Sequence, residues 1–156
     1  MNSEHTSPMP LTLPPRWLLI LFMSVAFIGF IDAVYLTAVH FLGQTPGCSL
    51  LEGCEEVTTS AYATVGFIPI SLFGAAYYLL VFLFTLLAAD GGKRGALVAA
   101  VMLTWVAFAV TLVLIFLQLF VIKALCLYCL ISALTSTILF VMGIFLLHYK
   151  KGQSVL

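Results

Sequence analysis

Residues 95–147 read GALVAAVMLTWVAFAVTLVLIFLQLFVIKALCLYCLISALTSTILFVMGIFLL, and the only charge among them is Lys123. A helix rises about 1.5 Å per residue and the hydrocarbon core of a bilayer is about 30 Å thick, so roughly 20 apolar residues make one crossing. The run is far too long for one span and suits two. Lys123 divides it into spans over about 96–122 and 124–147, and the second opens on Cys126-Leu127-Tyr128-Cys129.

Working outward, Asp90-Gly91-Gly92-Lys93-Arg94 forms a short polar turn, and before it lies another span over about 66–89. Its helix is expected to start near Pro69, because proline suits a first helical turn. Residues 41–64, FLGQTPGCSLLEGCEEVTTSAYAT, interrupt the hydropathy with Gly43, Pro46, Gly47, Gly53, three glutamates and a first cysteine pair, Cys48 and Cys54. The first span covers about 17–40; it is longer than a signal-peptide core and no A-x-A-like site follows it. Residues 1–16 are polar and proline-rich and read as a short tail. The sequence thus predicts a single membrane domain over 1–156. Its fold class is all-α integral membrane, a four-transmembrane-helix bundle with an outer loop carrying a cysteine pair.

Composition excludes the other classes. Hydrophobic residues make up 63% of the chain and charged ones 8%, against a globular norm of about 25% charged. Six basic residues balance six acidic ones, so there is no basic surface for nucleic acid. Disorder needs the reverse composition, and a soluble chain of this size cannot hide so much apolar surface. Basic residues are retained on the cytoplasmic side. With four spans, Arg16, Lys93, Arg94, Lys150 and Lys151 share one face and Lys123 stands on the other. Both termini are expected in the cytoplasm, the chain in the cytoplasmic (inner) membrane, and the 41–64 loop in the periplasm or its equivalent.

This topology brings both cysteine pairs to the oxidising face, although about seventy residues separate them. Cys126-x-x-Cys129 has the spacing of a redox dithiol. Unpaired amides at its helix N-terminus, with Lys123 beside them, are expected to favour a thiolate. Cys48 and Cys54 flank a Gly-containing stretch that can move, and Glu52, Glu55 and Glu56 are expected to raise local thiol pKa values. A mobile pair beside a fixed pair suits thiol–disulfide relay. Two other readings use the same residues: structural disulfides, although one within a helical turn restrains little, and a four-cysteine zinc site, although the first pair has x5 spacing. Attachment of c-type haem is excluded because Leu130, not His, follows Cys129.

A relay needs an acceptor. Asp32 lies inside the first span, and an intramembrane carboxylate is a functional-site candidate. Gln118 and Ser71 fall at similar depth, with Tyr35, Phe67 and Tyr128 as aromatic walls. Together they suit a quinone bound between helices beside Cys129, with no metal. Each also has a plainer reading: Ser71 bonded to its own helix backbone, Tyr35 and Tyr128 as interfacial anchors, Asp32 protonated and bonded to a neighbouring helix. His40 reads as an exposed loop-edge residue.

The chain resembles the vitamin K epoxide reductase family in its compact bacterial form. The resemblance rests on Cys48-x5-Cys54, Ser60, Ile68-Pro69, Ser71, Phe73-Gly74, Tyr77, the final Cys126-Leu127-Tyr128-Cys129, and Asp32-x-x-Tyr35-Leu36 in the first span. It implies a four-helix bundle around a quinone, either ubiquinone or menaquinone. It also implies roles: Cys48 meets the partner protein, Cys54 passes electrons to Cys126, Cys129 faces the quinone, and Ser60 lies near the site. Animal members that reduce the epoxide carry asparagine at the position of Ile70 and tyrosine at that of Ala133, so the resemblance favours a plain quinone. Many bacterial relatives carry a fused thioredoxin-like domain, for which this chain has no room, so the partner is expected to be a separate thioredoxin-like protein outside the membrane. The expected function is a membrane thiol–disulfide oxidoreductase that generates disulfides. Its alternatives are a quinone-epoxide reductase and a non-catalytic membrane protein stapled by disulfides.

Overall fold

The computed structural model describes residues 14–47 and 53–148. Four long apolar helices dominate it: α1 over Arg16–Phe41, α3 over Ile70–Gly91, α4 over Arg94–Phe116, and α5 over Leu127–His148. Between α1 and α3 lie a five-residue helix, α2 over Cys54–Thr58, and a two-stranded antiparallel hairpin, β1 over Thr64–Val65 and β2 over Ile68–Pro69. All four long helices have the length and composition to cross a membrane; the third includes a π-helical extension of α4, Leu117–Ile122. This is a multi-pass membrane protein.

Local sequence sets the helix ends. Pro15 precedes α1 and its carbonyl accepts the Leu18 N–H at 3.0 Å. Pro69 precedes α3 in an extended conformation, a place where its missing N–H costs nothing. Gly92 ends α3 in the left-handed region at φ 61°. Lys123 does the same for the π-helical extension at φ 57°, the only non-glycine with positive φ among the described residues. That turn delivers the chain into α5.

The helices form a ring: α1 packs on α3 and α5, and α4 closes it against the same two. Small residues let the backbones approach, among them Ala26, Ala33, Ala75, Ala88 and Ala100. Gly29 matters most. A Cβ there would run into the ring of Tyr78, which crosses from α3 towards α5. The Tyr78 hydroxyl donates to the Ser132 carbonyl at 2.7 Å and lies 2.8 Å from Thr135 Oγ1. Large apolar side chains such as Trp17, Phe27, Trp105, Phe116 and Phe145 point outward on the bundle surface. That arrangement suits hydrocarbon and not water.

The end of the bundle that holds α2 and the hairpin also holds the C-x-x-C. The loop carries more regular structure than its sequence suggests. Cys54 opens a helical turn, and Gly66 at φ 67° turns the hairpin.

Candidate functional site

The short helix α2 is docked by its first residues. Gly53 lies directly on the backbone of Leu125: a Cβ at position 53 would meet the Leu125 N and O at 2.8 Å and the Ala124 Cβ at 3.0 Å. Cys54 and Val57 then bury themselves with Ala124 and Cys126 in one small cluster, against which Cys129 and Tyr128 pack. Two cysteines far apart in sequence therefore share a single dry patch. Cys54 is disulfide-bonded, whereas Cys126 and Cys129 are free thiols. Cys48 and Glu52 lie outside the described residues.

The C-x-x-C sits on the first turn of α5. The Cys129 N–H donates to Cys126 Sγ at 3.4 Å, so the sulfur caps the helix. The Cys126 N–H in turn donates to Gln118 Oε1 at 3.2 Å, and the Gln118 carbonyl accepts the Ala124 N–H at 3.2 Å. Gln118 belongs to the π-helical extension, and such local widening of a helix is common at functional sites. It holds the turn that presents Cys126.

The Cys126 thiol is pulled below the ordinary thiol range, to about 7. The side-chain hydrogen bond from Cys129 does most of this; the Cys129 and Tyr128 N–H groups add to it, and burial and the charge of Asp32 oppose it. The expected contribution of Lys123 is absent from those causes: the side chain is exposed, where water screens it. In a protein with Cys48 and Cys54 replaced by Ser, the thiolate ultraviolet absorbance of the reduced inner pair is expected to rise with a midpoint near pH 7. The charge reversal Lys123→Glu should leave that midpoint in place. A wild-type midpoint near the unperturbed ~8.5 would contradict the capping geometry.

Beside the C-x-x-C lies a cavity of about 460 Å³ between α1, α3, α4 and α5, covered by residues of α2 and the segment after it. Cys129, Ser132, Ala133 and Ser136 line it from one face of α5, at the i, i+3, i+4 and i+7 positions of a helix. Cys126 is not among the lining residues. The inner pair therefore has one sulfur in the cluster with Cys54 and the other on the cavity wall.

Of the residues that the sequence singles out for a quinone, Ser60, Ser71 and Gln118 line the cavity, and Asp32, Tyr35, Phe67 and Tyr128 do not. Phe67 stands at the hairpin tip, 98% exposed. Tyr35 and Tyr128 pack on each other with ring centroids 5.0 Å apart. Asp32 is buried in the bundle away from the cavity. Ser71 pairs across helices with Thr37, 3.0 Å between hydroxyl oxygens, instead of bonding its own backbone. Ser60 donates to the Val57 carbonyl at 2.8 Å. His40, expected at an exposed edge, is half-buried and lines the cavity.

The structure adds polar wall residues that sequence reasoning did not place at the site: Tyr77, named there only for the resemblance, and Thr111, Ser132 and Ser136. The two serines were findable, because they continue the helical stripe of Cys129. Nothing local separates Tyr77 from Tyr78, yet their environments differ sharply. Tyr78 is satisfied by α5, whereas the Tyr77 hydroxyl is buried with no hydrogen bond of acceptable geometry, even to its neighbour Ser136. A buried hydroxyl left unpaired costs about 1–3 kcal/mol.

No curated protein matches the sequence. The model of the vitamin K epoxide reductase family matches residues 20–144, which include all four cysteine positions and most of every long helix. The chain therefore belongs to that family of membrane oxidoreductases.

Proposed function

We propose that the protein oxidises a thioredoxin-like partner outside the membrane and passes the electrons through its two cysteine pairs to a membrane quinone, so generating disulfides. One observation carries this reading. Gly53 and Cys54 dock on Leu125 and Cys126, and Cys129 then lines an apolar cavity within the bundle. This arrangement supports electron transfer from the outer loop to a lipid-soluble acceptor.

The cavity fits such an acceptor. Its size lies within the usual range of roughly 300–1,000 Å³ for ligand sites, its wall is mainly apolar, and the unpaired Tyr77 hydroxyl offers a donor for a carbonyl oxygen. Tyr77, Ser71, Ser60 and Gln118 would hold the head group. When bound, a quinone supplies a two-electron sink beside Cys129. Ile70 and Ala133 both line the cavity, which leaves it without the polar groups of epoxide-reducing animal relatives and favours a plain quinone.

The relay we propose runs as a series of thiol–disulfide exchanges. A thiol of the partner reduces the outer pair through Cys48. The Cys54 thiolate attacks Cys126 Sγ; the Cys54–Cys126 bond forms, the Cys126–Cys129 bond breaks, and Cys129 leaves as a thiolate on the cavity wall. Cys48 then attacks Cys54 and releases Cys126, whose negative sulfur accepts the Cys129 N–H. Low thiol pKa makes Cys126 a good leaving group. A disulfide at Cys54 with free thiols at Cys126 and Cys129 corresponds to the stage just after this transfer. The orientation that serves it has both termini in the cytoplasm, as the basic residues indicate.

Purified protein mixed anaerobically with a reduced thioredoxin-like protein tests the reading. Partner oxidation should require a short-chain quinone and match quinol formation one to one. Oxidation that proceeds equally without quinone, or fails with it, would overturn the assignment.

A further inference from the structure

Ala33, Leu36 and His40 line the cavity from α1, at the i, i+3 and i+7 positions of one helical face. His40 is the outermost of the three and stands one residue before the helix ends. Neighbouring contacts give its height. Tyr35 packs on Tyr128 of the C-x-x-C, and Thr37 lies 3.0 Å from Ser71 in the first turn of α3. His40 therefore stands about one helical turn outward of Ser71, at the cavity rim with Thr58, Ser60 and Tyr62. Helical side chains lean towards the N-terminus of their own helix. That tilt aims His40 inward from the rim. It aims Tyr77, on the oppositely running α3, outward from below, with the level of Cys129 between them. The other titratable groups among the described lining residues are Tyr62, Tyr77 and Tyr78 of α3, and Cys129 of α5. α4 contributes none, and none of the described lining residues is Asp, Glu, Lys or Arg. Histidine is the side chain that most readily gains and loses a proton near neutral pH.

We infer that His40 delivers a proton from the outer water to the acceptor in the cavity, an assignment that rests on the quinone reading above. With Cys126 as a thiolate, the form favoured by the Cys129 N–H on its sulfur, the open inner pair holds a single proton, on Cys129. A quinone-class acceptor takes two electrons and two protons. On closure the Cys129 S–H bond breaks and the Cys126–Cys129 bond forms. The electron pair and the Cys129 proton go to the acceptor. The second proton comes from the His40 imidazolium, which is left neutral and is recharged from water at the rim. Before the step Cys126 carries one negative charge and His40 one positive. Afterwards the disulfide, the quinol and the imidazole carry none, so electrons, protons and charge balance.

The test uses the full chain and His40→Gln, which keeps a hydrogen-bonding side chain but cannot carry the proton. Fully reduced protein is mixed anaerobically with a short-chain quinone for a single turnover. Quinol formation should slow by roughly a hundredfold in the variant. The wild-type rate should fall with rising pH as the donor loses its proton, and the variant should lack that fall. Closure of the inner pair by a soluble disulfide needs no proton from the cavity and should run equally fast in both proteins. A readout without turnover comes from oxidised protein, which has no electrons to give. With isotope-labelled histidine, one of the three imidazole nuclear magnetic resonance signals should move when quinone is added, and that signal should be missing from His40→Gln. Imidazole signals that ignore the quinone, or a variant that keeps the wild-type rate or pH profile, would overturn the inference. A wild type that reduces no quinone, although a soluble disulfide still closes its inner pair, would bring down the acceptor reading and this one with it.

Discussion

Cys129→Ala is expected to abolish quinol formation while leaving the outer pair able to exchange with its partner. Cys129 is the cysteine of the inner pair that lines the cavity, and Cys126 is buried in the cluster with Cys54. Without Cys129 there is no sulfur beside the acceptor and no inner disulfide for Cys54 to open. A mixed disulfide of Cys54 with the single Cys126 is resolved back by Cys48, so no electrons move inward. Anaerobic quinol formation after mixing with reduced partner and quinone checks this directly. Cys126→Ala should lose the turnover as well. Retained quinol formation in Cys129→Ala would mean that electrons leave the protein by another route.

Gly53→Ala is expected to slow transfer between the cysteine pairs by roughly a hundredfold while leaving the bundle folded. The added methyl would meet backbone atoms of Leu125 at 2.8 Å, and backbone, unlike a flexible side-chain end, cannot swing aside. The docked turn of α2 must lift, carrying Cys54 away from Cys126. Misplacement of reacting atoms by about 1 Å is enough for such a loss. The four long helices do not depend on this contact, so thermal stability should change little. The measurement is the rate at which a reduced outer pair opens the inner disulfide, read by quenched alkylation. A variant as fast as the wild type would show that Cys54 does not need this docking.

Much of the fold was legible because charge is so scarce. The polar turn at 90–94 and the lone Lys123 divide an otherwise continuous apolar sequence, and the structure places left-handed residues at both breaks, Gly92 and Lys123. The meeting of Cys54 with the Cys126–Cys129 pair at one end follows from that topology. What sequence could not supply is which side of each helix faces inward. α1 is apolar almost all round, so no amphipathic stripe reveals its inner face. Nothing in the sequence signals that Asp32, Tyr35 and Tyr128 lie off the cavity wall. Gln118 shows a different limit. Its depth suggests ligand contact, and only the π-helical turn reveals that its side chain also holds the Cys126 N–H. The small α2 helix and the hairpin are fixed by docking on the bundle, since elements of five and two residues are too short to form on local preference alone.

The most direct measurement takes purified protein with all four cysteines reduced, keeps it anaerobic, adds a short-chain quinone and counts free thiols by quenched mass-tag alkylation. Electron flow from the outer pair through the inner pair predicts rapid loss of all four thiols, with one quinol formed for every two lost. Persistence of all four thiols in the presence of excess quinone would contradict it.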